Sequence, residues 1–128
     1  MSYYASSTGT IQLKHAGTKD EVLKLIEMYD VFEESGFYTS NDLKSGKTVP
    51  NIDVSGYQQY HEEDLEALYR KISDYVEKAD IEFIGEDDSR WKHVFEDGVW
   101  KEANAEIVYK DFHTFAEPQK EVEVMEER

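Results

Sequence analysis

The stretch RWKHVFEDGVWKEANAEIVY, residues 90–109, decides the fold. At its centre Asp97-Gly98 is typical of a two-residue β-turn in which both residues take a positive φ. It predicts an antiparallel hairpin in which Phe95 faces Trp100 across the strands. One face of that hairpin then carries Trp91, His93, Phe95 and Trp100, and the other carries Lys92, Val94, Glu96, Val99 and Lys101.

The aromatic face of this hairpin has two interpretations. It can cover the apolar stripes of helices, as the core side of a small sheet. If it points to solvent instead, it is a large apolar patch and therefore a contact surface.

Two helices are predicted upstream of the hairpin, after an alternating strand at residues 9–14. The capping box Thr18–Glu21 opens the first helix, and Ser35-Gly36 is its expected end. The second helix is predicted over residues 61–80, where three acids occupy the first turn. The apolar stripes are Val22, Leu25, Ile26, Tyr29 and Phe32 in the first helix, and Leu65, Leu68, Tyr69, Ile72, Tyr75 and Val76 in the second.

Short strands complete the expected fold. Residues 36–56 suggest a loose hairpin about Ser45-Gly46, with Pro50 favouring an edge strand. A strand at 81–85 precedes the aromatic hairpin, and a turn at Glu102–Ala105 leads to a further strand in EIVYKDF. We therefore expect an α+β fold, ferredoxin-like or a variant, with two helices on a mostly antiparallel sheet and a C-terminal β-meander.

We expect one domain over residues 1–116 and a flexible acidic tail over 117–128, in which Val122, Val124 and Met125 leave a short added strand open. The 128 residues hold 29 acids against 14 Lys and Arg, a net charge of −15. Such a surface repels nucleic acid and anionic membranes and attracts basic proteins. The N-terminus resembles no signal peptide, no run is apolar enough to span a membrane, and cysteine is absent. These features predict a cytoplasmic protein that binds neither nucleic acid directly nor membrane.

Known catalytic motifs do not fit. KSGKT at 44–48 resembles the end of a phosphate-binding loop, but Asn41 occupies the position of that loop's first glycine. A helix should also follow the motif, and Val49-Pro50 follows instead. His61 has no second histidine four residues on, so we predict no metal site and no cofactor. His93 opposite Glu102 could be a general base or an ordinary satisfied histidine. The alternative ligand site is Trp91, His93, Trp100 and Glu102.

The strand GTIQLK, the capped helix, the helix DLEALYRKI and the hairpin RWKHVFEDGVW closed by AEIVY resemble small ferredoxin-like proteins of phages and conjugative plasmids. The resemblance spans about residues 9–110. It implies a ferredoxin-like fold and a mobile-element origin, with expression in the host cell cytoplasm if the chain is phage-encoded, and it implies no residue roles.

Three functions follow as hypotheses. The first is a non-enzymatic acidic binding protein, an anti-defence (anti-CRISPR-type) inhibitor that mimics nucleic acid and occupies a basic surface of a host protein. Its candidate contacts are Glu27, Asp30, Glu33 and Glu34 on the first helix, Asp74, Glu77 and Asp80 on the second, and the tyrosines Tyr57 and Tyr60. The second is a structural module that self-associates as a homodimer through the aromatic sheet. The third is a small-ligand binder or enzyme centred on His93.

Overall fold

The computed structural model describes residues 2–119 and shows two helices packed on one face of a six-stranded antiparallel sheet. The strands are β1 (Tyr4–Leu13), β2 (Glu34–Asn41), β3 (Thr48–Gln59), β4 (Val76–Gly85), β5 (Arg90–Glu96) and β6 (Val99–Ala105). The helices are α1 (Lys19–Tyr29) and α2 (Glu62–Ile72), and single 3-10 turns lie at Ala16–Thr18 and Ser73–Tyr75.

The strand order is β2-β3-β1-β4-β5-β6. α1 connects β1 to β2, which are parallel and have β3 between them. α2 connects β3 to β4, which are parallel and have β1 between them. This is the split β-α-β arrangement of a ferredoxin-like fold, and β5 and β6 extend it as a meander from β4. The predicted α+β class and the predicted meander are confirmed.

The core lies between the helices and the middle of the sheet. Ile11 of β1 is fully buried opposite Ile52 of β3, and Ile81 of β4 is fully buried opposite Gly9 of β1. Alternate strand residues point to the helices, so each strand presents one apolar row to them. The helices bury Val22, Ile26, Leu65, Leu68, Tyr69 and Ile72 against those rows.

The first helix begins where the sequence predicts, but it ends about one and a half turns early. Thr18 is the N-cap residue, yet its hydroxyl donates to the carbonyl of His15 (2.8 Å), so the predicted capping box does not form. The helix ends at Tyr29, because Asp30 adopts a left-handed conformation with φ 54°. The prediction of an end at Ser35-Gly36 was wrong, and Phe32 is buried beyond the helix.

The second helix is also shorter than predicted. It ends at Ile72, and residues from Val76 onward form β4 rather than a helix to residue 80. Val76 pairs with Leu13 and Lys78 with Gln12, so Glu77 is the extra residue of a β-bulge. Pairing with the central strand β1 overrides the helical pattern of this segment, because a strand also buries Val76, Ala79 and Ile81.

Residues 36–56 form the predicted hairpin, with Gly46 in the turn at φ 70°. The prediction that Pro50 marks an edge strand was wrong for β3 as a whole, which lies between β2 and β1. Pairing between β3 and β1 reaches only Asn51, however, so Pro50 pairs with β2 alone at Thr39. Proline is tolerated there because one side of the strand is locally open.

The meander ends earlier than predicted. In place of a turn at Glu102–Ala105, β6 continues to Ala105, and residues 106–119 form neither helix nor strand and are exposed. Most of the predicted tail, residues 120–128, lies outside the described residues. Within residues 2–119, neither helix has the length or apolar character needed to cross a bilayer.

Gly9 is required for the close pairing of β1 with β4. A Cβ built on Gly9 would lie 2.4 Å from the carbonyl oxygen of Asp80 and 2.5 Å from Cα of Ile81. We expect Gly9→Ala to lower the free energy of unfolding by about 1–3 kcal/mol, as overpacking typically does. Urea denaturation measures this, and Gly36→Ala on the edge strand, where a Cβ meets nothing within 4 Å, is the matched control. Equal stability of the two variants would contradict the prediction.

Candidate functional site

A shallow groove of about 170 Å³ runs between α2 and β6. Its floor is apolar and includes Leu65, Tyr69 and Trp100. Its rim is charged and carries Glu62, Glu66, Lys101 and Glu102. The groove exists because the two helices cover the middle of the sheet, while β6 lies beyond α2 at the edge.

His93 lies beneath this groove in a chain of hydrogen bonds. Its Nδ1 is 2.7 Å from the hydroxyl of Tyr69, and its Nε2 is 2.9 Å from a carboxylate oxygen of Glu102. The carboxylate can only accept, so Nε2 carries a proton, and in a neutral ring the Tyr69 hydroxyl then donates to Nδ1. The predicted cross-strand pairing of His93 with Glu102 is confirmed.

This arrangement limits what His93 can do chemically. Both ring nitrogens are occupied by protein groups, so neither is free to take a proton from a bound molecule. The His93 side chain is 9% exposed, against 47% for Glu102. Burial raises the pKa of Tyr69 well above its usual value, so that hydroxyl keeps its proton. The chain therefore satisfies buried polar groups and fixes the floor of the groove.

Trp100 closes the outer end of the same network. Its ring stacks on Tyr69 with centroids 3.9 Å apart and planes 7° from parallel. Its Nε1 donates to Oγ of Ser73 (3.0 Å), and that hydroxyl donates to the backbone carbonyl of Tyr69. The pairing holds β6 against the C-terminal end of α2.

The other tryptophan belongs to the core. Trp91 stacks on Phe83 with centroids 5.5 Å apart, and its Nε1 donates to the Tyr60 hydroxyl (3.2 Å). Desolvation of the half-buried Tyr60 raises its pKa to about 12. Trp91, His93 and Phe95 are all buried under the helices. These three residues of the aromatic face are therefore core, as the first interpretation predicts, and the half-buried Trp100 lies at the groove beside β6.

The structure distributes the predicted partner contacts over different elements. Only Glu27 lies on α1, while Asp30 follows its end and Glu33 lies in the connection to β2. The placement of Glu34, Asp74, Glu77 and Asp80 on helices was wrong: Glu34 begins β2, Asp74 lies in a 3-10 turn, and Glu77 and Asp80 belong to β4. The cause is the early end of both helices.

Part of the set nevertheless comes together at one end of the sheet. A carboxylate oxygen of Glu33 accepts a hydrogen bond from the backbone N–H of Tyr57, and the Asp30 carbonyl accepts one from Gln58 (2.8 Å). Tyr57 is exposed and stacks on Tyr4 with centroids 5.7 Å apart.

Asp80 lies apart from this group. It is on the sheet face away from the helices and pairs with Lys92 (3.1 Å).

Sequence reasoning missed the α2 side of the groove, above all Tyr69, and the nearby Ser73 that accepts the hydrogen bond of Trp100. Tyr69 was recognised only as part of an apolar helical stripe. Its contact with His93 joins residues 24 positions apart, and no local pattern signals such a contact. Among residues 2–119, no three His, Asp or Glu side chains form a group that could hold a metal ion.

No protein-family model matches the chain, and no curated protein matches it either. One similar solved structure is the C-terminal domain of a cyclometallase involved in synthesis of the NPN cofactor of lactate racemase, in apo form, at 11% identity and TM-score 0.47 over 80% of each chain. Another is a phage SAM lyase in complex with S-methyl-5′-thioadenosine, at 14% identity and TM-score 0.33 over 83% of this chain and 93% of that one. At such distances neither protein's activity carries over to this chain.

Removing the Tyr69 hydroxyl should destabilise the protein. Tyr69→Phe leaves Nδ1 of the buried His93 without its hydrogen-bond partner, and we expect a loss of about 1–3 kcal/mol in the free energy of unfolding. Urea denaturation followed by circular dichroism measures it. Tyr38→Phe, on the outer strand β2 and exposed, is the control and should change little. A Tyr69→Phe variant as stable as the control would show that this hydrogen bond contributes nothing.

Stability should fall at alkaline pH. The pKa of Tyr60 is raised from 10.0 to about 12 in the folded protein, so above pH 10 the unfolded chain loses this proton while the folded protein keeps it. The contribution is complete below pH 10 and is lost as the pH rises to about 12. Tyr60→Phe should flatten this part of the stability curve, measured by denaturation at a series of pH values. The exposed Tyr109→Phe should leave the curve as in the wild type.

Proposed function

We propose that this chain is a non-enzymatic acidic binding protein, encoded by a phage or related mobile element, that occupies a basic nucleic-acid-binding surface of a host protein. In this role it would act as an anti-defence inhibitor of the anti-CRISPR kind. The single observation that supports the proposal most is the uneven distribution of charge between the two sides of the sheet.

The helical side of the molecule carries a strong excess of negative charge. We define it as residues 16–33 and 61–75, which hold ten acids and four bases, a net −6. All ten carboxylates are exposed. They are Asp20, Glu21, Glu27, Asp30, Glu33, Glu62, Glu63, Asp64, Glu66 and Asp74.

The open face of the sheet, which points away from the helices, is nearly neutral. Its strand positions hold five acids and four bases, a net −1. The acids are Glu34, Asp53, Asp80, Glu82 and Glu96, and the bases are Lys78, Arg90, Lys92 and Lys101. The helical side is therefore more negative than the open face by five charges.

Ion pairs strengthen this difference. On the open face Asp80 pairs with Lys92 (3.1 Å) and Glu96 with Lys101 (3.3 Å). On the helical side Glu66 is the one carboxylate that forms a salt bridge with another described residue, Arg70. The other nine carboxylates there are exposed and form no salt bridge with a described residue, so they can meet a basic partner.

A negative surface of this kind speeds encounter with a basic groove and disfavours acidic partners. Exposed carboxylates at several points of a rigid helical layer can stand in for the phosphates that such a groove binds. The attraction is screened by salt beyond about 8–10 Å at physiological ionic strength. Binding should therefore depend strongly on salt and compete with DNA or RNA.

The test compares two triple variants that change the net charge equally. Glu27→Gln, Asp30→Asn and Asp74→Asn neutralise the helical side, while Asp53→Asn, Glu82→Gln and Glu96→Gln neutralise the open face. The wild type is immobilised, host proteins retained at low salt are identified, and the affinity of a captured basic protein for each variant is measured. We expect the helical triple to weaken binding roughly tenfold, at ~0.5 kcal/mol per charge, and the open-face triple to bind like the wild type.

Duplex DNA added to the complex should displace the acidic protein from its partner. Equal losses for both triples would show that only total charge matters. Retention of no basic protein at low salt would overturn the proposal.

A further inference from the structure

The segment after β6 exposes an unusual amount of apolar surface. We call residues 106–119 the C-terminal arm; every one of them is exposed, and none is in a helix or strand. Five of its large side chains are apolar: Ile107 is 46% exposed, Val108 65%, Tyr109 75%, Phe112 89% and Phe115 98%. Flexible polar segments usually contain few aromatic and β-branched residues.

The exposed area is large enough to support an interface. With typical side-chain areas of about 150–250 Å² for aromatic residues, the five side chains expose on the order of 700 Å². Summed along the arm, this is about the area of the largest contiguous apolar patch of an ordinary monomer, 300–600 Å². Two such arms, each covered by a partner surface, reach the roughly 1,200–2,000 Å² of total buried area that stable protein interfaces show.

A receiving surface lies beside β6 itself. Within residues 2–119, β6 has a neighbouring strand on one side only, so its outer edge is free for pairing. The groove floored by Leu65, Tyr69 and Trp100 opens next to that edge, on the helical side. A strand added to β6 would place alternate side chains over this apolar floor.

The arm of the same chain leaves in the other direction. A cavity next to the end of β6 is lined by Ala105, Glu106, Ile107 and Tyr109 together with Asp88 and Arg90. Asp88 and Arg90 belong to the β4–β5 turn and to β5, on the side of β6 away from its free edge. The start of the arm is therefore directed away from its own groove.

We propose that the C-terminal arm docks on a second copy of this chain, where it pairs with the free edge of β6 and covers the α2–β6 groove. The segment Ile107-Val108-Tyr109 is rich in β-branched and aromatic residues, which favour added strands. Exchange of arms between two copies is symmetric: each copy donates one arm and receives one, which closes the assembly as a dimer. Of the aromatic sheet face, the dimer covers only the outer margin at Trp100, since Trp91, His93 and Phe95 are buried.

Sedimentation of the full chain over a range of concentrations tests the dimer. We expect the wild type to be dimeric and Phe112→Asp with Phe115→Asp to raise the dissociation constant roughly 100-fold or more, since both side chains would be buried anchors. Both positions are almost fully exposed within one chain, so the substitutions should not unfold it. Leu43→Asp, at an equally exposed apolar residue of the β2–β3 turn, is the matched control and should stay dimeric.

Single cysteines locate the arm, because the chain has none of its own. Asn104→Cys on β6 is mixed with Tyr109→Cys or, separately, Phe112→Cys, and the mixtures are oxidised. We expect a disulfide between chains for at least one arm position and none with Leu43→Cys in place of the arm cysteine. A monomer at all concentrations, a dimer indifferent to the arm substitutions, or no disulfide between Asn104→Cys and either arm cysteine would each overturn the proposal.

Discussion

The pairing of β1 with strands on both of its sides is the constraint on which the rest of the structure depends. β1 contacts β3 and β4 along almost its whole length, and it supplies Ile11 at the centre of the core. Because β1 lies between β3 and β4, both helical connections must cross to the same face of the sheet. The open face, the helical face and the edge groove all follow from that placement.

The same constraint explains which parts of the fold could be read from the sequence. The Asp97-Gly98 turn sets the register of β5 and β6 locally, and the facing pairs from Glu96–Val99 to His93–Glu102 follow from it. The ends of the helices could not be read in this way. Val76 suits a helical stripe and a strand equally well, and only its pairing with Leu13 of the distant β1 decides between them. The left-handed turn at Asp30 has no strong local signal either, since glycine at residue 36 appeared the better helix end.

In the candidate site, too, the contacts within one hairpin could be predicted from the sequence and the long-range contacts could not. His93 and Glu102 are neighbours across one hairpin and could be paired from the sequence, whereas Tyr69 approaches them only because α2 packs over β5. Total charge is likewise a property of the sequence, but its distribution is a property of the fold. Alternation along the strands sends cations and acids together to the open face, while the helices expose mainly acids. The proposed function therefore rests on an arrangement that composition alone does not contain.

The two indole rings occupy contrasting surroundings, and this gives the protein two built-in optical reporters. Trp91 is buried among aromatic rings of the sheet, whereas Trp100 is half-buried at the outer strand with its N–H on Ser73. Loss of packing in the core changes the emission of Trp91. A change in the surroundings of the outer strand β6 changes the emission of Trp100. Replacing either indole by phenylalanine would leave a chain whose tryptophan emission follows one of these regions alone.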